Sequence, residues 1–209
     1  MKTLLQFSDV TCGKITGLCF SLAVGQIAIL QVHNKNKGLV MELALGEKTP
    51  EKGTIFFRGK PLEESIPGEI GWVPSNGGVI GNLKVWENIT LPLWYHHKRA
   101  PLATEQVLGG WLQTLEPEKN DWADFMARPS ARLGIRDRKL VGLLRGLVLA
   151  PRLLVADAGL FNDTDQAVCN SWMVALEKFV KAAEDCAVLV ISDGAEPLHW
   201  KIANLILAE

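Results

Sequence analysis

The sequence has no surplus of charge of either sign: 22 Lys and Arg face 23 Asp and Glu over 209 residues, a formal net charge of -1. It also has no block of five or more like charges. The broad positive field that gathers a polyanion is therefore missing, and nucleic acid is excluded as an expected partner. Long apolar runs are absent too. The most apolar stretch, Leu140 to Val155, carries Arg145 and Arg152 and is broken by Pro151, so it falls short of the roughly 20 residues a membrane span needs. Direct membrane insertion is not expected. The first residues, MKTLLQFSDVTCGK, offer only Leu4 and Leu5 as an apolar pair before Gln6, Ser8 and Asp9, too little for a secretion signal, so a cytoplasmic location is expected. Four cysteines, Cys12, Cys19, Cys169 and Cys186, form no C-x-x-C pair, and His96-His97 is an isolated doublet. No metal site follows from these spacings, and buried free thiols are expected. No Ser/Gly-rich or Pro-rich linker divides the chain, which reads as a single domain over 1–209.

What is present is a 48% hydrophobic composition arranged in alternating strand-like and helix-like patterns. Gln26 to Val32 is a short β-branched run, and after a polar loop Gly38 to Leu45 is apolar nearly all round, as a buried helix would be. Thr54 to Phe57 and Glu69 to Val73 read as short strands, the second ended by Pro74, and together suggest a β-rich flank. From Val85 to about Ala150 the sequence is mainly helical in period, with breaks at Pro92, Pro101, Gly109-Gly110, Pro117 and Pro129, and residues 81–137 read as a helical lobe on a core of 1–80 and 138–209. Alternation then resumes: a helix from Arg138 to Leu149, a strand from Leu153 to Asp157, a helix from Gln166 to Glu184, and strands from Ala187 to Ser192 and Asn204 to Ala208. Apolar strands separated by helices predict an α/β fold with a mostly parallel sheet covered on both faces. Ligands in such folds sit beyond the carboxyl ends of the strands, so the loops Val32 to Gly38, Asp157 to Asp165 and Ser192 to Pro197 are the ones to inspect.

The order of these landmarks resembles the nucleotide-binding subunits of ABC transporters, from Leu4 to Glu209. Gly68 to His96 is similar to the stretch around that family's Q-loop, and Arg128 to Asp157 to its signature helix running into the Walker B strand. Thr90 to Leu93 is closer to the ATPases that serve lipid and lipoprotein export. The resemblance implies a P-loop NTPase-like fold with a small antiparallel β flank and a helical lobe. It implies ATP and Mg²⁺ as ligands, and a membrane permease subunit or another ATPase subunit as partner, at the inner face of the cytoplasmic membrane.

The motif residues depart from the family. A phosphate loop needs G-x-x-x-x-G-K-[ST], because glycines let backbone N-H groups crowd the phosphates, the Lys neutralises charge and the hydroxyl holds Mg²⁺. Laid on Lys37, the pattern reads Gln31, Asn36, Lys37 and Gly38, with only the Lys kept. Asn34 and Asn36 are residues that adopt the left-handed turn glycine supplies. Lys35, Asn36, Lys37 and Gly38, with His33 and the start of the next helix, are candidates for a residual anion site, against which stands a solvated basic loop. The Walker B acid is Asp157, but Ala158 stands where the catalytic Glu would be, and a missing general base lowers a rate by roughly 10²- to 10⁴-fold. The D-loop is replaced by Leu160 to Asp165. Ser75 replaces the Q-loop Gln, and Leu133, Gly134, Ile135, Arg136 and Asp137 replace LSGGQ. Asp193 stands at the switch histidine, placing negative charge beside a γ-phosphate, and His199 is too far along to substitute. No aromatic near Cys12-Gly13 is placed to stack on adenine.

No catalytic residue or metal site is assigned on these residues. The expected function is a degenerate, non-hydrolysing ABC-ATPase-like protein acting as a structural or regulatory subunit of a membrane transport system. It would dock through the groove near Pro74 to Gly78 and the helical lobe, with Trp86, Leu91 and Trp94 read residue by residue as core packing. Because each ABC site joins the phosphate loop of one subunit to the signature of the other, losing both in one chain argues against a passive half of a working motor. The alternatives are a divergent MgATP hydrolase using Lys37 and Asp157, and a new small-ligand site in the old cleft.

Overall fold

Two sheets form, and the side-chain alternation of the strands decides which core each face joins. The computed structural model describes residues 2–96, 101–118, 120–183, 185–194 and 205–207. An antiparallel sheet runs in the order β2 (Ile15–Ala23), β1 (Thr3–Cys12), β4 (Lys52–Phe57), β5 (Lys60–Pro61). A parallel sheet runs β6 (Ile70–Val73), β7 (Leu153–Asp157), β8 (Ala187–Ser192), β3 (Ile27–Gln31), β9 (Leu205–Leu207). All six residues of β8 are buried, and they alternate between two cores. Val188 and Val190 join Val73, Leu144, Leu154, Trp172 and Phe179 on one face. Ala187, Leu189 and Ile191 join Leu5, Phe7, Leu22, Leu30, Leu43 and Phe57 on the other. A strand buried on both faces has no polar alternation, which is why these strands read as continuous apolar runs.

Six helices complete the described chain: α1 (Asn34–Leu45), α2 (Val85–Tyr95), α3 (Pro101–Leu115), α4 (Trp122–Ala127), α5 (Ile135–Leu149) and α6 (Gln166–Ala182). Helix α5 is buried at ten positions between Lys139 and Leu149, packed between α2, α3 and β6. The fold is α/β, with a parallel sheet, an antiparallel flank and helices.

Several expectations are corrected here. The stretch Thr3 to Ala23, not read as strands, supplies the two longest ones among the described residues, with register shifts interrupting their alternation. The segment Ile70 to Val73 does not join the antiparallel flank but is the edge of the parallel sheet, paired in register Ile70 to Leu153. Helix α1 begins four residues before Gly38, at Asn34, and α5 three residues before Arg138, at Ile135. Cys19 is exposed on the outward face of edge strand β2, where its Sγ accepts the Asp9 amide at 3.1 Å, while the other three thiols are buried. Trp86 is partly buried, but Leu91 and Trp94 are exposed, at 40% and 63%. Glu184, His97, Asn204, Ala208, His199 and the end of the Ser192 to Pro197 loop lie outside the described residues.

Asn88 ties the entry to α2. Fully buried, it accepts from the Ile80 amide at 2.7 Å and donates to the carbonyls of Ile80 at 3.0 Å and Lys84 at 3.1 Å and to Ser130 Oγ at 2.9 Å. Asn88→Ala strands at least one buried donor, so unfolding in urea is expected to lose roughly 2–3 kcal/mol of stability. A change under 0.5 kcal/mol would contradict this role.

Candidate functional site

Strands β3, β7 and β8 lie side by side in one direction, so the segments that follow them converge at one end of the sheet. After β3 only Val32 and His33 intervene before α1. His33 is the helix N-cap: its Nδ1 accepts from the Lys35 amide at 3.3 Å and its carbonyl from the Asn36 amide at 2.8 Å. Asn34 and Asn36 are in the helix, and neither has a positive φ. Two of the first N-H groups of this helix, those of Lys35 and Asn36, are thus taken up by its own cap. The expected left-handed turn is absent because the helix starts earlier and leaves no loop to bend.

Starting the helix at Asn34 puts Lys37 on its first turn, facing the other strand ends. Lys37 Nζ lies 2.8 Å from Asp157 Oδ1, at the end of β7, and 3.8 Å from Asp193 Oδ2, just after β8. All three side chains are only 13–15% exposed. Asp157 Oδ1 also accepts the Gly159 amide at 2.8 Å and caps the short 3₁₀ turn Ala158–Phe161. A partly buried lysine between two carboxylates is a satisfied internal ion pair, strengthened by low local dielectric.

Above this pair opens a cleft of about 380 Å³, lined by Lys37, Ser75, Asn76, Ile135, Lys139, Asp157, Gly159, Asn162, Asp163 and Asp193. Of the sequence-derived site residues, Lys37, Ser75, Ile135, Asp157 and Asp193 meet here. Lys35, Asn36, Gly38, Gly134, Arg136 and Ala158 do not line it. Lys35 and Gly38 are exposed on α1. Gly134 is the N-cap of α5 and makes no side-chain bond there. Arg136 pairs instead with Glu116 at the end of α3, at 2.6 Å. Ala158 is fully buried in the apolar core, so the position carries no group facing solvent.

The residue that sequence reasoning missed is Lys139. It is 3% exposed, and its Nζ donates to the main-chain carbonyls of Gly159 at 3.0 Å and Asn162 at 2.5 Å. Burial pulls its pKa below the ordinary lysine value, with Asp163, then Cys169 and Asp157, pushing the other way. The available signal was a lone Lys inside the apolar face of a predicted helix. Among the described residues, no group of three or more His, Cys, Asp or Glu is arranged to hold a metal ion.

No family model matches the chain. It is 29% identical over 160 residues to the autoinducer 2 import ATP-binding protein of Enterobacter sp. (strain 638), covering 73% of this chain and 30% of that protein. It is 28% identical over 140 residues to the molybdate/tungstate import ATP-binding protein of Archaeoglobus fulgidus, covering 66% and 55%. The matched segments thus span only 30% and 55% of the length of these curated relatives. Among solved structures, the ATP-binding subunit of an ABC transporter superposes with a TM-score of 0.84 at 14% identity, over 99% of this chain and 86% of that one. A putative ABC transporter ATP-binding protein from Pyrococcus furiosus gives 0.78 at 14%, over 98% and 96%. These likenesses show the fold.

The lowered pKa of Lys139 has a signed consequence. Between that value and the ordinary lysine range the unfolded chain binds more protons than the folded one, so this group adds stability as pH rises through the window. The stability difference between wild type and Lys139→Met is therefore expected to grow in favour of wild type with rising alkaline pH, followed by urea unfolding. Parallel curves would contradict it.

Proposed function

We propose, from sequence and structural neighbours that point to the ATP-binding subunits of ABC transporters, that this chain is a non-hydrolysing relative serving as a structural or regulatory subunit of a membrane transport system. The observation that carries the reading is the Lys37 to Asp157 ion pair at 2.8 Å, with Asp193 beside it. A magnesium triphosphate needs a free lysine, a run of open backbone N-H groups and a hydroxyl for the metal. Here the lysine faces two carboxylates, the amides of Lys35 and Asn36 are taken by His33, and Gly38 brings no hydroxyl. The residues present do not fit that ligand, and no hydrolytic step is derived through it. Ala158, buried in the core, leaves no base to deprotonate a water.

A transport partner is supported by helix α2. Its Leu91, Trp94 and Tyr95 are 40%, 63% and 78% exposed, and Ile80, before the helix, is 42% exposed. Exposed aromatics of this size near one another mark contact surfaces. We infer that a permease subunit covers them, holding the protein at the inner face of the cytoplasmic membrane. Among the described residues no helix is long and apolar enough to cross a membrane itself. The chain acts as one domain over 1–209, with residues 81–137 as the helical lobe.

A second reading, a divergent MgATP hydrolase, is favoured by one observation: Lys37 and Asp157, the two residues kept from the family pattern, do meet in one cleft. The readings separate by ligand response. With seven tryptophans as reporters, 5 mM MgATP is expected to leave both intrinsic fluorescence and melting temperature unchanged and to undergo no turnover. Turnover abolished by Lys37→Ala would overturn the non-hydrolysing reading.

A further inference from the structure

Two loops border the cleft, the turn from Pro74 to Gly78 and the segment 158–163, and one helix holds both. From α5, Lys139 donates to the carbonyls of Gly159 and Asn162, with Asp163 Oδ2 at 4.0 Å. Six residues on, Arg145 donates from Nη1 to the Gly78 carbonyl at 2.9 Å and from Nη2 to the Gly77 carbonyl at 2.7 Å. Between these two cations the helix touches the first loop directly. A Cβ at Gly142 would lie 2.4 Å from the Gly77 carbonyl oxygen, and one at Gly77, where φ is +79°, would lie 1.9 Å from that of Arg138. Both cations thus grip main-chain oxygens. The backbone of each loop is fixed, not merely a side chain on it.

Charged hydrogen bonds are the strong class, and the one from Lys139 to the Gly159 carbonyl is also buried. Loops that open and close on a ligand are drawn instead from weakly attached, poorly buried segments. The ammonium of Lys139 thus contacts two carbonyl oxygens, with the exposed Asp163 carboxylate 4.0 Å away. Asn162, on the same segment, has a buried Oδ1 with no hydrogen-bond partner among the described residues.

We propose that α5 is a fastening rod: Lys139 is the tethered, resident cation around which segment 158–163 is built, and Arg145 does the same for the turn at Gly77 and Gly78. The cleft then keeps one shape whatever is offered to it, and a protein partner meets a fixed surface. This holds whether or not nucleotide binds, so it stands or falls separately from the proposed function.

Hydrogen exchange read by mass spectrometry tests it. In the wild type without nucleotide, peptides covering 74–80 and 158–165 are expected to exchange slowly. Rates near those of an unstructured peptide would overturn the proposal. Lys139→Ala is expected to speed exchange in 158–165 about tenfold and leave 74–80 unchanged, and Arg145→Met the reverse. Ethylammonium at 50 mM is expected to restore slow exchange in Lys139→Ala, while tetramethylammonium, with equal charge and no N-H, does not. Wild-type rates in Lys139→Ala, or equal effects of the two cations, would contradict a hydrogen-bonded ammonium.

Discussion

The ion pair of Lys37 with Asp157 is the constraint on which the cleft depends. It joins the first turn of α1 to the end of β7, and Asp193 extends it to the end of β8. Three segments that the parallel sheet merely brings near one another are thereby fixed together. With each side chain about 85% withdrawn from water, neither charge is well solvated without the other. Such a pair adds less to net stability than its Coulomb attraction suggests, yet breaking it by removing one partner is costly. Its effect is on specificity of arrangement: the lysine has one place to be.

The pair follows from a shortened connection. With only Val32 and His33 between β3 and α1, the helix caps itself and the lysine is carried on helix instead of on a loop. A phosphate-binding loop offers open N-H groups and a mobile charge. This connection offers neither. The same replacement of ligand contacts by internal ones recurs across the cleft, where Lys139 and Arg145 spend their hydrogen bonds on the carbonyls of the bordering loops. Apolar side chains of α2, among them Trp94 and Tyr95, face outward instead.

Much of the parallel sheet was legible in the sequence because strands buried on both faces carry uninterrupted apolar residues. Leu153 to Asp157 and Ala187 to Ser192 were read to the residue. Thr3 to Ala23 was not, since its alternating Ser, Gln, Thr and Gly positions obscure the apolar ones and register shifts interrupt the pattern. The assignment of Ile70 to Val73 to the wrong sheet reflects a general limit: a short strand's composition does not name its neighbour. Of the site, Lys37, Asp157 and Asp193 were singled out by their places in a family pattern, but their mutual neutralisation depends on a helix start that the His33 cap decides. A lone Lys in an apolar helix face marks Lys139 as unusual, but its partners are main-chain carbonyls, which no sequence pattern marks. The exposure of Trp94 was missed because an aromatic at helical spacing is ordinarily core.

The central claim is that Lys37 and Asp157 are bound to each other rather than held ready for a ligand. The most direct measurement is a double-mutant cycle on unfolding free energy with Lys37→Met, Asp157→Asn and the pair together. The account predicts a coupling energy of about 2–3 kcal/mol, since each single change leaves a largely buried charge uncompensated and the double change leaves none on this pair. Additivity within about 0.5 kcal/mol would contradict it.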